Sequence, residues 1–198
     1  MASTISAGTS AGTAIAITGD TTGNLAFTTQ AGTYTQTLPN ATGTVMVSGN
    51  MPAFSAYLSA NQTISNNTAT KVALNIKSST GNSNAYDTNG YFDATTNYRF
   101  TPLIAGYYQV NAGVYFTGTA MTNIQLYIYK NGSNYQQNLA AGGISVSNYS
   151  IATSATIYFN GSTDYVELWG YSSAASGNAF GGGSNLVTYM SGSMIRSL

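Results

Sequence analysis

The chain has 198 residues, no Cys, no His, and five basic against five acidic side chains, for a formal charge of zero. A charged fraction of 5%, against about 25% in ordinary soluble domains, leaves no electrostatic footprint for nucleic acid or an anionic membrane surface. Without imidazole or thiol, Ser-His-Asp and Cys-His nucleophilic sites, disulfides and imidazole or thiolate metal sites are excluded.

Ser, Thr, Asn, Gln, Gly and Ala take the place of the missing charges, while a hydrophobic content of 43% supports a folded core. Uncharged strand edges invite edge-to-edge association, so a specific oligomer or a larger assembly is expected to cover them. Sixteen Tyr residues suit interfaces that are apolar at one end and polar at the other.

Residues 1–50 are rich in Thr, Gly and Ala and carry one charge, Asp20. The first stretch, MASTISAGTSAGTAIAIT, has neither the basic residue nor the continuous apolar run of a secretory signal. Short alternations predict four strands: Thr13, Ile15 and Ile17; Leu25, Phe27 and Thr29; Tyr34, Gln36 and Leu38; Val45 and Val47. Their apolar faces are too thin for an independent core, so the segment needs a partner surface or its copies in neighbouring subunits. A disordered low-complexity tail is the plainer reading of the composition, and the regular alternation argues against it.

Gly49, Asn50 and Pro52 mark a boundary, dividing an N-terminal β-segment for attachment or trimerisation (1–50) from a head (51–198). Head strands are predicted near 53–59, 70–76, 97–102, 106–117, 123–130, 151–159, 164–171 and 186–196. Asn89-Gly90, Asn131-Gly132 and Asn160-Gly161 are turn signals, because both residue types tolerate the positive φ of tight hairpins. After Gly106 the alternation is clear: Tyr108, Val110, Ala112, Val114 and Phe116 share one face, and Tyr107, Gln109, Asn111, Gly113 and Tyr115 the other. No stretch is long and apolar enough to cross a membrane. The fold class is all-β, a sandwich or jelly roll.

Several segments resemble the C1q-like family in order and spacing. They are Pro52 to Ala56, Tyr86-Asp87 with Gly90-Tyr91-Phe92, Tyr98 to Phe100 with Pro102, Gly106-Tyr107-Tyr108, Leu126 to Gly132, Asn160 to Leu168, and Ser191 to Ile195. The resemblance covers about 52–198. It implies a jelly-roll head related to tumour necrosis factor, assembled as a tight trimer and acting in binding or structure. Two departures stand out: Gly161, Ser162, Thr163 and Asp164 replace the family's Gly-Asp before a late strand, and no collagen-like stalk precedes the head. The N-terminal texture resembles repeated-strand segments of bacteriophage fibre and virion proteins.

The remaining candidates for chemistry are few. Asp164 and Glu167, three apart on a predicted strand, face opposite sides and make a poor acid–base pair. Asp87 and Asp93 flank an oxygen-rich loop of the kind hard cations use, and some relatives of such heads bind calcium, but Asp87 is equally explained as a turn residue. Gly181, Gly182 and Gly183 lack the Lys and helix of a phosphate cradle and read as a flexible tip able to contact a ligand. Trp169 is either a glycan-stacking platform or a packed aromatic. Tyr107, Tyr115, Tyr127, Tyr129 and Tyr158 lie opposite the aliphatic stripes and are the trimer-contact candidates, the alternative being a half-exposed face where β-propensity favours Tyr. No catalytic residue, metal or cofactor is expected.

The functional expectation is a non-enzymatic homotrimer on a phage virion surface, a capsid decoration (cement) or head-fibre protein. A tail-fibre tip or adhesin recognising a host-surface ligand through Trp169 and Gly181–Gly183 is the alternative, and a bacterial extracellular matrix protein a third reading.

Overall fold

The computed structural model describes residues 26–28, 35–37, 51–78, 85–183 and 187–197, with no side-chain description at 26–28, 35–37 and 142–144. By its contacts the chain divides into two compact units, Met1–Gly43 and Thr44–Leu198. In the first, β1 (Ala26–Thr28) pairs antiparallel with β2 (Thr35–Thr37), Phe27 lying opposite Gln36. These fall within the second and third short strands expected there. The first and fourth lie outside the described residues.

Among its described residues the second unit is all-β, with eleven further strands. They are β3 (Ala53–Tyr57), β4 (Gln62–Thr63), β5 (Thr70–Lys71), β6 (Tyr86–Asp87), β7 (Phe92–Asp93), β8 (Arg99–Phe100), β9 (Gly106–Lys130), β10 (Ser133–Phe159), β11 (Val166–Ser173), β12 (Ser176–Phe180) and β13 (Tyr189–Ser197).

Its organising element is the ribbon formed by β9 and β10, two strands long enough to serve both layers of a sandwich. In the first layer, residues 106–113 of β9 pair with β13 on one side and with the end of β10 on the other, and β13 pairs in turn with β3 and β3 with β6. In the second, residues 123–130 of β9 pair with β11 and with the start of β10, and β11 carries β5 and β8 along its far edge, β8 being joined to β7. The ribbon passes between layers where Ala120 takes a positive φ of 50° and the β10 register shifts between Ala141 and Val146. A bulge bends a strand and increases its twist, so one hairpin supplies both sheets.

This corrects the strand reading: β4, β6, β7 and β12 are short strands outside every predicted segment, the predicted 70–76 is strand only at Thr70–Lys71, and the long ribbon changes two more readings. Segments 106–117 and 123–130 belong to one strand, and 133–150, where polar and small residues mask the pattern, is strand held by pairing to β9. The three Asn-Gly signals also divide. Asn131-Gly132, at φ 52° and 78°, closes the β9–β10 hairpin in the left-handed region that tight turns require. Gly90 and Gly161, each at φ 73°, sit in corners, since β6 and β7 pair with different strands and β10 does not pair with β11.

The alternation in β9 holds: Tyr108, Val110, Ala112, Val114 and Phe116 are all buried. At one end of the core, Phe54 stacks on Phe100 with centroids 4.1 Å apart, and Tyr108 meets Phe159 edge-on at 5.2 Å. Burial pushes the Tyr108 phenol up, and its hydroxyl donates to Ile104 O at 2.8 Å. At the other end Phe116 meets Phe180 at 5.4 Å, and a Cβ on Gly170 would lie 2.5 Å from the Phe180 ring.

Candidate interaction faces

Residues of β9 that point away from the core populate two outward faces of different character. On the first layer they are Tyr107, Gln109, Asn111, Gly113 and Tyr115. Across the ladder β13 places Tyr189, Ser191 and Ser193 opposite Gly113, Asn111 and Gln109, and β10 places Ala152, Ser154 and Thr156 opposite the same three. No member of this central set carries a charge, while at its end β13 places the exposed Arg196 opposite Tyr107. The centre is a shallow hollow lined by Gly113, Ser150, Ala152 and Tyr189 that continues over Asn111 and Ser154. A Cβ on Gly113 would lie 2.7 Å from Tyr189 Cε1, so the Tyr189 ring lies over a position only glycine leaves open.

One end of this face carries Tyr107 and Tyr158, 40% and 36% exposed, with ring centroids 5.5 Å apart. Lys130 Nζ donates to Tyr158 O at 2.7 Å and pairs with Asp164 at 3.0 Å. Burial would raise the Asp164 carboxyl, but hydrogen bonds from Asn131 and Lys130 outweigh it and leave the group below its ordinary value. Asp164 therefore acts as a corner anchor, apart from Glu167. At the other end the Tyr115 backbone is strapped: its N–H donates to Thr188 Oγ1 at 3.1 Å and its carbonyl accepts from Gly181 N at 2.7 Å.

The second face is formed by β11 and the latter half of β9. Tyr129 stacks on Trp169 with centroids 5.0 Å apart and planes 17° from parallel, and Tyr127 meets Tyr129 edge-on at 5.7 Å. The Trp169 indole N–H donates to Glu167 Oε2 at 3.0 Å, and Lys71 Nζ donates to Glu167 Oε1 at 2.6 Å. Glu167 is only 4% exposed, and its pairing satisfies a charge that burial would otherwise penalise heavily. The Tyr127 hydroxyl donates to Gln125 Oε1, which also accepts from Gln137 Nε2. Burial, with Tyr129 and Tyr171 adding to it, pushes the Tyr127 phenol up. Trp169 is thus packed between neighbours. The five Tyr candidates do not form one surface: Tyr107, Tyr115 and Tyr158 lie on the first face, Tyr127 and Tyr129 on the second.

Sequence reasoning missed two residues of these faces. Tyr189 was legible from the alternation of Tyr189, Ser191 and Ser193 with Met190, Gly192 and Met194. Lys71 was not, because its partner lies 96 residues away.

The glycine run is a strap rather than a loose tip. Gly181 is buried, Gly182 N donates to Asn61 Oδ1 and Gly183 N to Leu58 O. A Cβ would lie 2.4 Å from the Tyr115 ring at Gly181 and 2.3 Å from Ala60 O at Gly182. Close approach, more than mobility, explains glycine there.

Asp87 and Asp93 act as turn caps. Asp87 accepts from Tyr91 N, Phe92 N and Lys77 Nζ. Asp93 accepts from the Thr95 amide and hydroxyl, the Thr96 amide and both Asn97 nitrogens. The Thr96 and Thr95 amides above all hold the Asp93 carboxyl well below the usual carboxylate range. Both oxygens of each carboxylate are thus engaged within its own turn, and no group of three or more acidic side chains gathers among the described residues.

No protein-family model matches the chain, and no curated protein matches it. Among solved structures, murine APRIL at pH 8.0 is similar at 8% identity and a TM-score of 0.52, covering 73% of this chain and 99% of that one. Murine APRIL at pH 8.5 gives 9% identity and a TM-score of 0.51 with the same coverage. The globular domain of zebrafish complement 1qA gives 14% identity and a TM-score of 0.48, covering 74% of this chain and 99% of that one. At such identities the likeness speaks for fold alone, and the fold is a C1q/TNF-like jelly-roll β-sandwich.

Proposed function

We propose that this chain is a non-enzymatic structural protein of a bacteriophage virion surface, a homotrimeric capsid decoration or head-fibre protein. The observation that carries the trimer is the first outward face: a shallow surface spanning β13, β9 and β10 whose centre is uncharged, with open Tyr residues at the end where Arg196 and Lys130 also lie. An uncharged centre of small and neutral side chains loses little solvation on burial, and Tyr at its rim gives contact area at low entropic cost. The jelly-roll fold and the near absence of free charge agree with a role in packing more than in catalysis. The virion setting rests on the sequence texture of residues 1–50, and a trimer would multiply weak contacts to a capsid into avidity.

The second reading, an adhesin recognising a host-surface ligand, draws on the Trp169 and Tyr129 stack on the other face. Two measurements separate the readings. Light scattering at micromolar concentration is expected to return three times the chain mass, and a monomer mass overturns the trimer. Electron microscopy of particles carrying the protein is expected to place it on the capsid, with binding lost on deletion of residues 1–50. Binding of the isolated head to host cells instead supports the adhesin.

A further inference from the structure

We propose that Asn89 is a site of spontaneous covalent ageing, the one Asn-Gly pair among the three singled out in the head whose surroundings leave it free to deamidate. The reaction needs the amide nitrogen of the following residue to reach the Asn side-chain carbonyl carbon. Glycine favours this by offering no side chain in the way.

Two of the three pairs are locked. Asn131 Oδ1 accepts from Tyr165 N at 3.0 Å, and its Nδ2 donates to Asp164 Oδ1 at 2.8 Å. Asn160 Oδ1 accepts from the amides of Ser162, Thr163 and Asp164, and its Nδ2 donates to Thr163 Oγ1 at 2.9 Å. Gly161 is wedged as well, since a Cβ there would lie 2.5 Å from Ala105 N. In both, the carboxamide is a structural part of the turn and has to be torn out before it can react.

Asn89 is different. The β6–β7 corner is held by Asp87, whose two oxygens bind the Tyr91 and Phe92 amides, so the Asn89 carboxamide is not needed to shape it. Its Oδ1 accepts only from the neighbouring Thr88 hydroxyl, at 2.8 Å among the described residues. The same hydroxyl lies 3.1 Å from Ala53 O, so its single proton is shared between two acceptors and holds the Asn89 carboxamide only weakly. Gly90 is exposed, and beyond its chain neighbours nothing lies within 4 Å of where a Cβ would sit, so no packed side chain or backbone holds this glycine in place.

In the step, Gly90 N loses its proton and bonds to Asn89 Cγ, the Cγ–Nδ2 bond breaks, and ammonia leaves to give a succinimide. Water then opens the ring at either carbonyl, yielding aspartate or isoaspartate. The product sets a new carboxylate two residues from Asp87. It also alters the backbone beside Thr88, whose amide and hydroxyl pair with Ala53 at the start of β3.

The test is incubation of the full-length protein at mildly alkaline pH, native and in urea, with peptide mass mapping of all three pairs. In the native protein Asn89 is expected to convert at least about tenfold faster than Asn131 or Asn160, because each locked amide must first lose several hydrogen bonds. In urea the three rates are expected to converge. Asp164→Ala, which unties Asn131 Nδ2, is expected to raise the Asn131 rate and to leave Asn160 slow, since its carboxamide keeps the bonds to the 162–164 amides and Thr163 Oγ1, and Asn89→Gln is expected to remove the fast component. Equal native rates at the three sites, or faster conversion of Asn131 or Asn160 in the unmutated protein, overturn the proposal.

Discussion

The two outward faces of the sandwich are built from the same strand, yet they leave their side chains in opposite situations. Along the first half of β9 the outward residues are small or neutral, and the aromatics at the end nearest the β9 start, Tyr107 and Tyr158, stand open. Along the second half, Tyr127, Tyr129 and Trp169 are locked to one another and to the Lys71–Glu167 pair. An aromatic residue pointing outward is therefore not yet a contact residue; what matters is whether its neighbours have already used it.

The sharpest way to break this contrast is to place a charge on each face. Asn111→Arg, in the middle of the first face, would set like charges together in an assembly. It is expected to weaken trimer formation by about a thousandfold, given a like-charge cost of several kcal/mol. Gln125→Arg on the second face is expected to leave the oligomer mass unchanged. Dissociation by Gln125→Arg alone would show that the wrong face has been chosen.

A smaller effect tests the internal lock. Glu167→Ala leaves the Lys71 ammonium with only the Asn97 carbonyl, at 3.3 Å, and the Trp169 indole without its acceptor. The Lys71 side chain is 30% exposed, so water recovers part of the loss, and a cost of about 2 kcal/mol is expected rather than the larger figure for a fully buried pair. A double-mutant cycle with Lys71→Met, read by urea unfolding, should show coupling between the two positions. Additive effects would mean that the cluster is a set of independent surface residues.

The smallest effect concerns Tyr127. Its phenol is raised by burial, so the folded protein holds that proton after an unfolded Tyr, with its ordinary pKa of about 10, has lost it. The stability from this group is therefore full below about pH 10 and is lost as pH rises through the higher folded value. Tyr127→Phe is expected to cost about 1 kcal/mol at neutral pH through the lost bond to Gln125. It should also flatten the decline in alkali, and an unchanged alkaline slope would count against a desolvated phenol.

Legibility in the sequence followed the physics of each feature. The inward stripe from Tyr108 to Phe116 could be read directly, because alternation along one strand is local and period two leaves no choice of face. Asn131-Gly132 was equally legible, since a two-residue turn is specified by the residues in it. Residues 133–150 were not, because their strand state comes from pairing to β9 and not from their own hydrophobic pattern. The glycines at 181–183 were read as looseness, whereas the reason for them is the Tyr115 ring and the Ala60 carbonyl, which only tertiary contact brings close.

By itself the sequence determined an all-β chain, the inward face of its central strand, the scarcity of charge and the exclusion of imidazole and thiol chemistry, all consequences of composition or of neighbours along the chain. Only the tertiary structure decided that β9 and β10 serve both layers, that Lys71 meets Glu167 and that Tyr127 is confined while Tyr107 stands open. Those outcomes depend on which strands lie side by side, and strand adjacency is fixed by burial and pairing across the whole head.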